Sequence, residues 1–466
     1  MKRGDFPAGK REHNVKTLFV SLGCDKNTVD TRKMAGILKD GGYCSFTEDE
    51  NEAEAAVVNT CAFIDSAKQE SIDEILAVAQ LKKTANLKHL IVTGCLAQRY
   101  RDEILKLIPE VDAVIGTTAE GSVGQVLQEL EEGKKLKRAI LKDPDLPPAA
   151  ARQILTVGSF VGYLKIAEGC DKNCTYCAIP SIRGHYRSVP MEQILEDAKD
   201  LAQQGAQELI LVAQETTLYG TDLYGKKMLP ELLRRLCLVQ GIQWIRVLYC
   251  YPEEITKELI QVLAEDNKIV PYLDMPIQHA SDRILRRMGR RTNRRELEAM
   301  VLSLREKIPG VCLRTTLITG FPGETEEDHQ SLLQFVKDMR FDRLGVYTYS
   351  REEGTPAAGF EGQVHPSTKK RRRKELMLAQ QEIVFSRQQE FIGKEMDVLI
   401  EGRLADELTE NGYVYVGRTA MDAPEVDSNI YIETPRELMS GSLVRARVTG
   451  AQDYDLLGGL ADEFAE

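Results

Sequence analysis

Along the chain, short apolar runs alternate with longer stretches in which apolar residues recur every three or four positions, the pattern of strands exchanging with amphipathic helices. In the first third this predicts strands at 17–22, 55–59 and 90–93 and helices at 30–39, 66–80 and 101–107. Such alternation builds a parallel α/β sheet. A proline-rich stretch around residues 142–150 then reads as a linker. Beyond it, strands at 162–166, 208–212, 244–248, 272–275, 312–318 and 343–347 alternate with helices at 191–204, 230–238, 253–265, 281–288, 294–307 and 326–339. Six βα units make a partial TIM-like barrel, whose sites lie at the C-terminal ends of its strands. The last segment has strands at 394–401, 412–416, 430–432 and 443–450 with no helices between them, which fits a small OB-like antiparallel β-barrel. The expected division is therefore 15–142, a linker at 143–155, 156–387 and 389–460.

Composition narrows the class. Of 466 residues, 42% are hydrophobic and 29% charged, and no run approaches the length of a membrane span. The basic N-terminus is not followed by an apolar segment, so no secretory signal is expected. Ten cysteines in such a chain suggest reduced cytoplasmic thiols engaged in metal or redox chemistry. The net charge of -11 is confined to the tail: residues 389–466 hold 17 acidic and 6 basic side chains, while the rest holds 55 of each. An acidic surface suits a cationic protein better than a phosphate backbone, or serves solubility alone. The basic run Lys369–Lys374 reads as a helix face with acidic neighbours more readily than as a nucleic-acid contact.

The cysteines carry the chemistry. Cys170, Cys174 and Cys177, spaced by three and then two residues, follow the first barrel strand. Three thiolates on one loop hold three irons of a 4Fe-4S cube and leave the fourth open, whereas structural zinc requires four closed ligands and only His185 is near enough to be considered. Cys24, Cys61 and Cys95 each follow one of the first three strands. Neighbouring parallel strands converge at their C-terminal ends, so these thiols are expected to form a second three-cysteine site. Cys44, Cys237, Cys250 and Cys312 lack that context and read as packing residues. Gln214-Glu215-Thr216, Gln278-His279 and Gly320–Glu324 follow later barrel strands and face the same rim.

The Cys170–Cys177 spacing resembles that of radical S-adenosylmethionine enzymes. The order of a three-Cys α/β domain, a radical S-adenosylmethionine barrel and a C-terminal TRAM domain resembles the methylthiotransferase family. Ser21–Asn27, Val58–Lys68, Ile179–Gly184 and Asp422-Ala-Pro-Glu-Val-Asp427 are similar to its ribosomal-protein-modifying branch. The resemblance implies two 4Fe-4S clusters, S-adenosylmethionine contacts from Tyr176, Gln214, Glu215, Gln278, Gly320 and Glu324, and radical abstraction of hydrogen from the β-carbon of an aspartate in small-subunit protein twelve. Sulfur held at the Cys24, Cys61, Cys95 cluster would then join that carbon and be methylated by a second S-adenosylmethionine. A flavodoxin or ferredoxin is the implied electron donor, and a cytoplasmic monomer is expected. Asp25 and Ala62 depart from the family pattern, where proline and glycine are more usual; both adjoin cluster ligands and replace none. A tRNA adenosine methylthiotransferase and a noncatalytic iron–sulfur or zinc RNA-binding protein are the alternatives.

Overall fold

A computed structural model describes residues 15–464 apart from 135–137, 148, 157 and 410–411, with backbone alone at 405–409. The chain forms two compact units, one of residues up to Ile154 together with Ile179–His185, the other of Leu155–Ala178 and Tyr186 onward.

The first unit is built on six parallel strands, β1 (Val15–Ser21), β2 (Cys44–Phe46), β3 (Ala55–Thr60), β4 (His89–Gly94), β5 (Ala113–Ile115) and β6 (Ala139–Ile140), in the order β2-β1-β3-β4-β5-β6. Every residue of β3 is buried, as expected for a central strand covered on both faces. The helix Asp25–Asp40 packs Met34 and Leu38 against this sheet, each side chain contributing about 1.5–3 kcal/mol by burial. The three strands not anticipated, β2, β5 and β6, are two or three residues long and too short to show a period. The proline-rich stretch is a strap rather than a free tether. Ala149 N–H donates to Glu120 Oε1 at 3.3 Å and Ile154 N–H to the Arg32 carbonyl at 3.2 Å. A Cβ on Gly36 would lie 2.0 Å from the Arg152 carbonyl, so glycine lets the strap touch the helix.

In the second unit, β7 (Val161–Lys165) is followed by a short antiparallel pair, β8 (Ala167–Glu168) and β9 (Arg187–Ser188). β10 (Glu208–Val212), β11 (Trp244–Val247), β12 (Ile269–Asp274), β13 (Cys312–Thr319) and β14 (Arg343–Thr348) then complete a six-stranded parallel sheet in the order β14-β13-β12-β11-β10-β7. This is the expected partial barrel. Its helices Arg294–Lys307 and Glu326–Met339 begin with reciprocal capping boxes, Asn293 with Glu296 and Thr325 with Asp328. The long helix Pro366–Gln389 buries Leu376 and Ile383 in the barrel core. Four of the six side chains of its basic run are spent on the protein itself: Lys369 donates to the Tyr349 carbonyl, Arg371 pairs with Glu326 and Glu375, Arg372 pairs with Glu324, and Arg373 donates to the Val346 carbonyl.

The C-terminal strands β15 (Glu395–Thr409), β16 (Gly412–Thr419), β17 (Ile430–Thr434), β18 (Leu443–Gln452) and β19 (Asp455–Leu460) close into a barrel in the order β15-β16-β17-β19-β18. Two details correct the sequence reading. There is a fifth strand, hidden by Gly458 and Gly459, and it pairs with β17 in parallel, so the barrel is not wholly antiparallel.

This small barrel is fastened to the N-terminal ends of the large barrel's strands. Glu208, at the start of β10, is fully buried and accepts from Arg246 Nε at 2.8 Å and from Arg418 Nη2 at 2.7 Å. Burial pushes its carboxyl up, but the two guanidinium groups outweigh that and hold it below its ordinary value. Asp427 accepts from the Tyr272 hydroxyl at 2.6 Å and lies 3.6 Å from Arg314 Nε, and Asp422 pairs with Arg343. Burial pushes the Asp427 carboxyl up, against Arg343 and Arg314. Two acids of the tail that reads as suited to a cationic protein, Asp422 and Asp427, are thus internal and neutralise arginines at the barrel floor.

Candidate functional site

Cys24, Cys61 and Cys95 stand at the C-terminal ends of β1, β3 and β4, three adjacent strands of the first unit. Cys24 caps the helix Asp25–Asp40, and Cys95 opens the helix Cys95–Leu107. Helix N-termini favour thiolates and anionic clusters. Gly23 has φ +96°, and a Cβ there would fall 2.6 Å from Cys61 Cβ, so only glycine brings the Cys24 turn against Cys61. Asn27 ties the strand ends together, its Nδ2 donating to the carbonyls of Leu22 at 2.8 Å and Thr60 at 3.1 Å. Ser71 Oγ accepts from Cys61 N–H at 3.0 Å. Burial pushes the Cys61 thiol up to about 12, and Cys95 and Cys24 add to the shift. Ionising Cys61 is therefore favoured by a cationic ligand beside it.

A side chain from a distant segment completes this site. Arg183 is buried in the first unit, its Nη1 donating to Asp30 Oδ2 at 2.8 Å and its Nη2 to Asn27 Oδ1 at 2.7 Å and to Cys95 Sγ at 3.5 Å. A structural zinc takes four closed ligands, whereas three thiolates hold three irons of a cube and leave the fourth open. The chemistry of both donor sets fits clusters.

In the second unit, Gly169 (φ +79°) turns the chain out of β8 into the loop of Cys170, Cys174 and Cys177. Cys177 N–H bonds to the Cys174 carbonyl at 3.0 Å, and Thr175 donates through N–H to the Met288 carbonyl at 3.0 Å and through its hydroxyl to the Arg287 carbonyl at 2.9 Å. Gly289 (φ +74°) leaves room for this crossing, since a Cβ would lie 2.6 Å from the Asn173 carbonyl. Lys172 is held by Glu253 and Glu254 over the Tyr251 ring, and Arg290 lies 4.3 Å from the same ring centroid. The Tyr251 hydroxyl is 3.8 Å from Cys174 Sγ. Burial pushes the Cys170 thiol up to about 11, against a hydrogen bond from the Lys172 backbone.

The other residues singled out in the sequence divide by what their polar atoms do. Gln214 Nε2 donates to Glu168 at 2.7 Å and leaves its buried Oε1 without a hydrogen-bond partner. Glu215 is buried, accepts from Thr217 N–H at 2.8 Å, and leaves Oε2 without a partner; burial pushes its carboxyl up to about 7. Arg290 is likewise buried with Nε and Nη1 unsatisfied. Orphaned acceptors and donors beside a three-thiol loop fit a zwitterionic amino-acid ligand. Tyr176 packs against the apolar cluster of Ile284, Met288 and Phe321. Gln278 (φ +71°) bridges to β13, its N–H donating to the Thr316 carbonyl and its carbonyl accepting from Ile318 N–H. Gly320 (φ +73°) and Phe321 give their N–H groups to Glu324 Oε2, and Glu324 also pairs with Arg372, so this carboxylate organises the loop. His279 is buried and neutral, its pKa lowered to about 3 by burial, with Nδ1 accepting from Ser281 N–H. Tyr251 and Arg290 were missed because each reaches its site through tertiary contact, whereas Lys172 lies within the cysteine loop and Arg183 within the quoted Ile179–Gly184 stretch, and only their partners were hidden.

Three family models match in succession: uncharacterized protein family UPF0004 over residues 16–116, the radical SAM superfamily over 164–336, and the TRAM domain over 392–460. The fold is similar to that of a radical S-adenosylmethionine methyltransferase, TsrM from Kitasatospora setae, with TM-score 0.54 and 14% identity over 74% of this chain and 77% of that one. Fold and matches together define a radical S-adenosylmethionine protein bearing an N-terminal α/β domain and a terminal TRAM barrel. The chain is 56% identical, over 95% of its length and 99% of the relative's, to the ribosomal protein uS12 methylthiotransferase RimO of Lachnoclostridium phytofermentans. It is 46% identical over 94% and 98% to that of Thermoanaerobacter sp., and 47% identical over 97% and 100% to that of Clostridioides difficile. It belongs to the RimO family of methylthiotransferases.

Proposed function

We propose that this chain methylthiolates the β-carbon of an aspartate in ribosomal protein uS12, using S-adenosylmethionine and two 4Fe-4S clusters. Near-full-length similarity to RimO proteins supports the activity. The observation that carries the cofactor assignment is the presence of two three-thiol sites at strand C-termini, each leaving one iron of a cube open. The C–H bond at that β-carbon is beyond acid–base chemistry at neutral pH. The bound cofactors supply homolytic C–H cleavage at one cluster and sulfur at the other.

The chain's own side chains bind and position. Cys170, Cys174 and Cys177 ligate the first cluster, on a loop fixed by Lys172 and by the Arg287 and Met288 carbonyls. Gln214 and Glu215 offer acceptors to the ammonium group of S-adenosylmethionine, and Arg290 offers donors to its carboxylate. Tyr176, Gln278 and Gly320 shape the nucleoside side, with Glu324 holding the Gly320 turn. Cys24, Cys61 and Cys95 ligate the second cluster. The working parts are assigned to 15–142, 156–387 and 389–460, with 143–155 as the strap. A flavodoxin or ferredoxin supplies electrons to a cytoplasmic monomer. No helix among the described residues is long and apolar enough to cross a membrane.

Alanine at all three of Cys170, Cys174 and Cys177 abolishes formation of 5'-deoxyadenosine and of methylthiolated uS12. Alanine at Cys24, Cys61 and Cys95 keeps deoxyadenosine formation but removes the methylthio product, with iron falling from about eight to about four per chain. Full product from the second variant would refute the assignment.

A further inference from the structure

A fully buried arginine is rare and expensive, and replacing a buried ion pair by apolar side chains is often neutral or stabilising. Arg183 therefore calls for a reason beyond packing. It lies six residues after Cys177 in sequence, yet the segment Ile179–His185 belongs to the first unit. Thr117 Oγ1 donates to the Ile182 carbonyl at 3.1 Å, and Asp145 Oδ1 accepts from His185 N–H at 2.7 Å. Gly184 (φ +74°) leaves space for the Pro144–Asp145 turn, since a Cβ would meet Asp145 Oδ1 at 2.3 Å. The segment is thus clamped on both sides of Arg183, and Asp30 and Asn27 fix the guanidinium plane so that one Nη2 proton points to Cys95 Sγ at 3.5 Å.

Three thiolates make a cluster at this site anionic, and reduction adds one more negative charge. In a buried site a fixed cation stabilises the more negative state, and an N–H···S bond withdraws density from the ligand; both raise the reduction potential. Asp30 opposes this only in part, because the guanidinium stands between it and the sulfur.

Resting on the assignment of a cluster to Cys24, Cys61 and Cys95, we propose that Arg183 is the positioning residue of that cluster, orienting Cys95 and raising the cluster's reduction potential through its N–H···S bond and charge. The arginine thereby keeps the open iron receptive to an anionic sulfur ligand.

The test uses full-length protein in which Cys170, Cys174 and Cys177 are alanine, reconstituted anaerobically, with iron counted and the remaining cluster titrated by electron paramagnetic resonance. Arg183→Gln and Arg183→Lys are compared with the parent, and Arg183→Gln/Asp30→Asn is included so that the charges of the guanidinium and of its carboxylate partner are removed together. The expected result is about four irons per chain in each, with the midpoint potential shifted to more negative values, most in Arg183→Gln and least in Arg183→Lys. Loaded variants with the parent's potential would overturn the role of Arg183. If Arg183→Gln does not fold, Arg183→Lys and the double variant decide the matter by the same shift. A parent that binds no iron would instead overturn the cluster assignment on which the proposal rests.

Discussion

The carboxylate of Asp328 serves several donors at once: the Ser281 hydroxyl at 2.6 Å, the N–H and hydroxyl of Thr325 at 2.9 Å each, and Arg283. Burial pushes it up, but these bonds prevail and hold it at about 2 against an ordinary 3.8. A depressed carboxyl stabilises the fold fully above its unfolded value and ceases to do so as pH falls through the folded one. Stability is therefore expected to drop between pH 3.8 and about 2, and Asp328→Asn to flatten that part of the acid-unfolding curve; an unchanged curve would remove Asp328 from the account. Single residues differ in how far the sequence announces them. The gathering of Cys24, Cys61 and Cys95 at adjacent strand ends and of Cys170, Cys174 and Cys177 on one loop could be read because each sits at a fixed offset from a neighbour or a strand end. The burial of Arg183, which lies in the quoted Ile179–Gly184 stretch, and of Arg290 could not, since a buried arginine looks in sequence like any surface cation. Asp422 and Asp427 were visible as a motif, but their partners, on β12, β13 and β14, were not.

Among the elements, the cluster loop depends on the turn that follows the helix Asp282–Arg287. That turn supplies the carbonyls that hold Thr175 and places Arg290 over Tyr251. Arg290 has unsatisfied buried donors, so Arg290→Met removes a site for an anionic group. The variant is expected to keep its iron and to bind S-adenosylmethionine about tenfold or more weakly, the loss of roughly one charge-assisted hydrogen bond. Equilibrium dialysis of the reconstituted protein measures this, and unchanged affinity would exclude Arg290 from the ligand. The large barrel's helices were legible by their long periods and its strands as short apolar runs between them. The short edge strands and the glycine-rich β19 were not, because two or three residues carry no period and glycine carries no face.

For the second unit as a whole, the buried arginines and carboxylates at the barrel floor make the TRAM barrel a fixed part rather than a swinging appendage. Its surplus of acid is partly an internal counter-charge, which a count along the sequence could not distinguish from surface charge. Arg418→Met leaves Glu208 with one partner and Glu401 with one fewer. Breaking such a buried pair costs about 3–5 kcal/mol, to be read from urea unfolding; a loss under about 1 kcal/mol is what an exposed pair gives and would contradict a locked floor. With Asp422 and Asp427 facing the floor, recognition of uS12 falls to other surfaces, and family membership is what points to that substrate. The most direct measurement offers the reconstituted protein S-adenosylmethionine, sulfide and a strong reductant, with uS12 and bulk tRNA together, and weighs both products. A gain of about 46 Da, replacement of hydrogen by a methylthio group, on one aspartate of uS12 is the predicted result. The same gain on a tRNA adenosine, with uS12 unchanged, would contradict it.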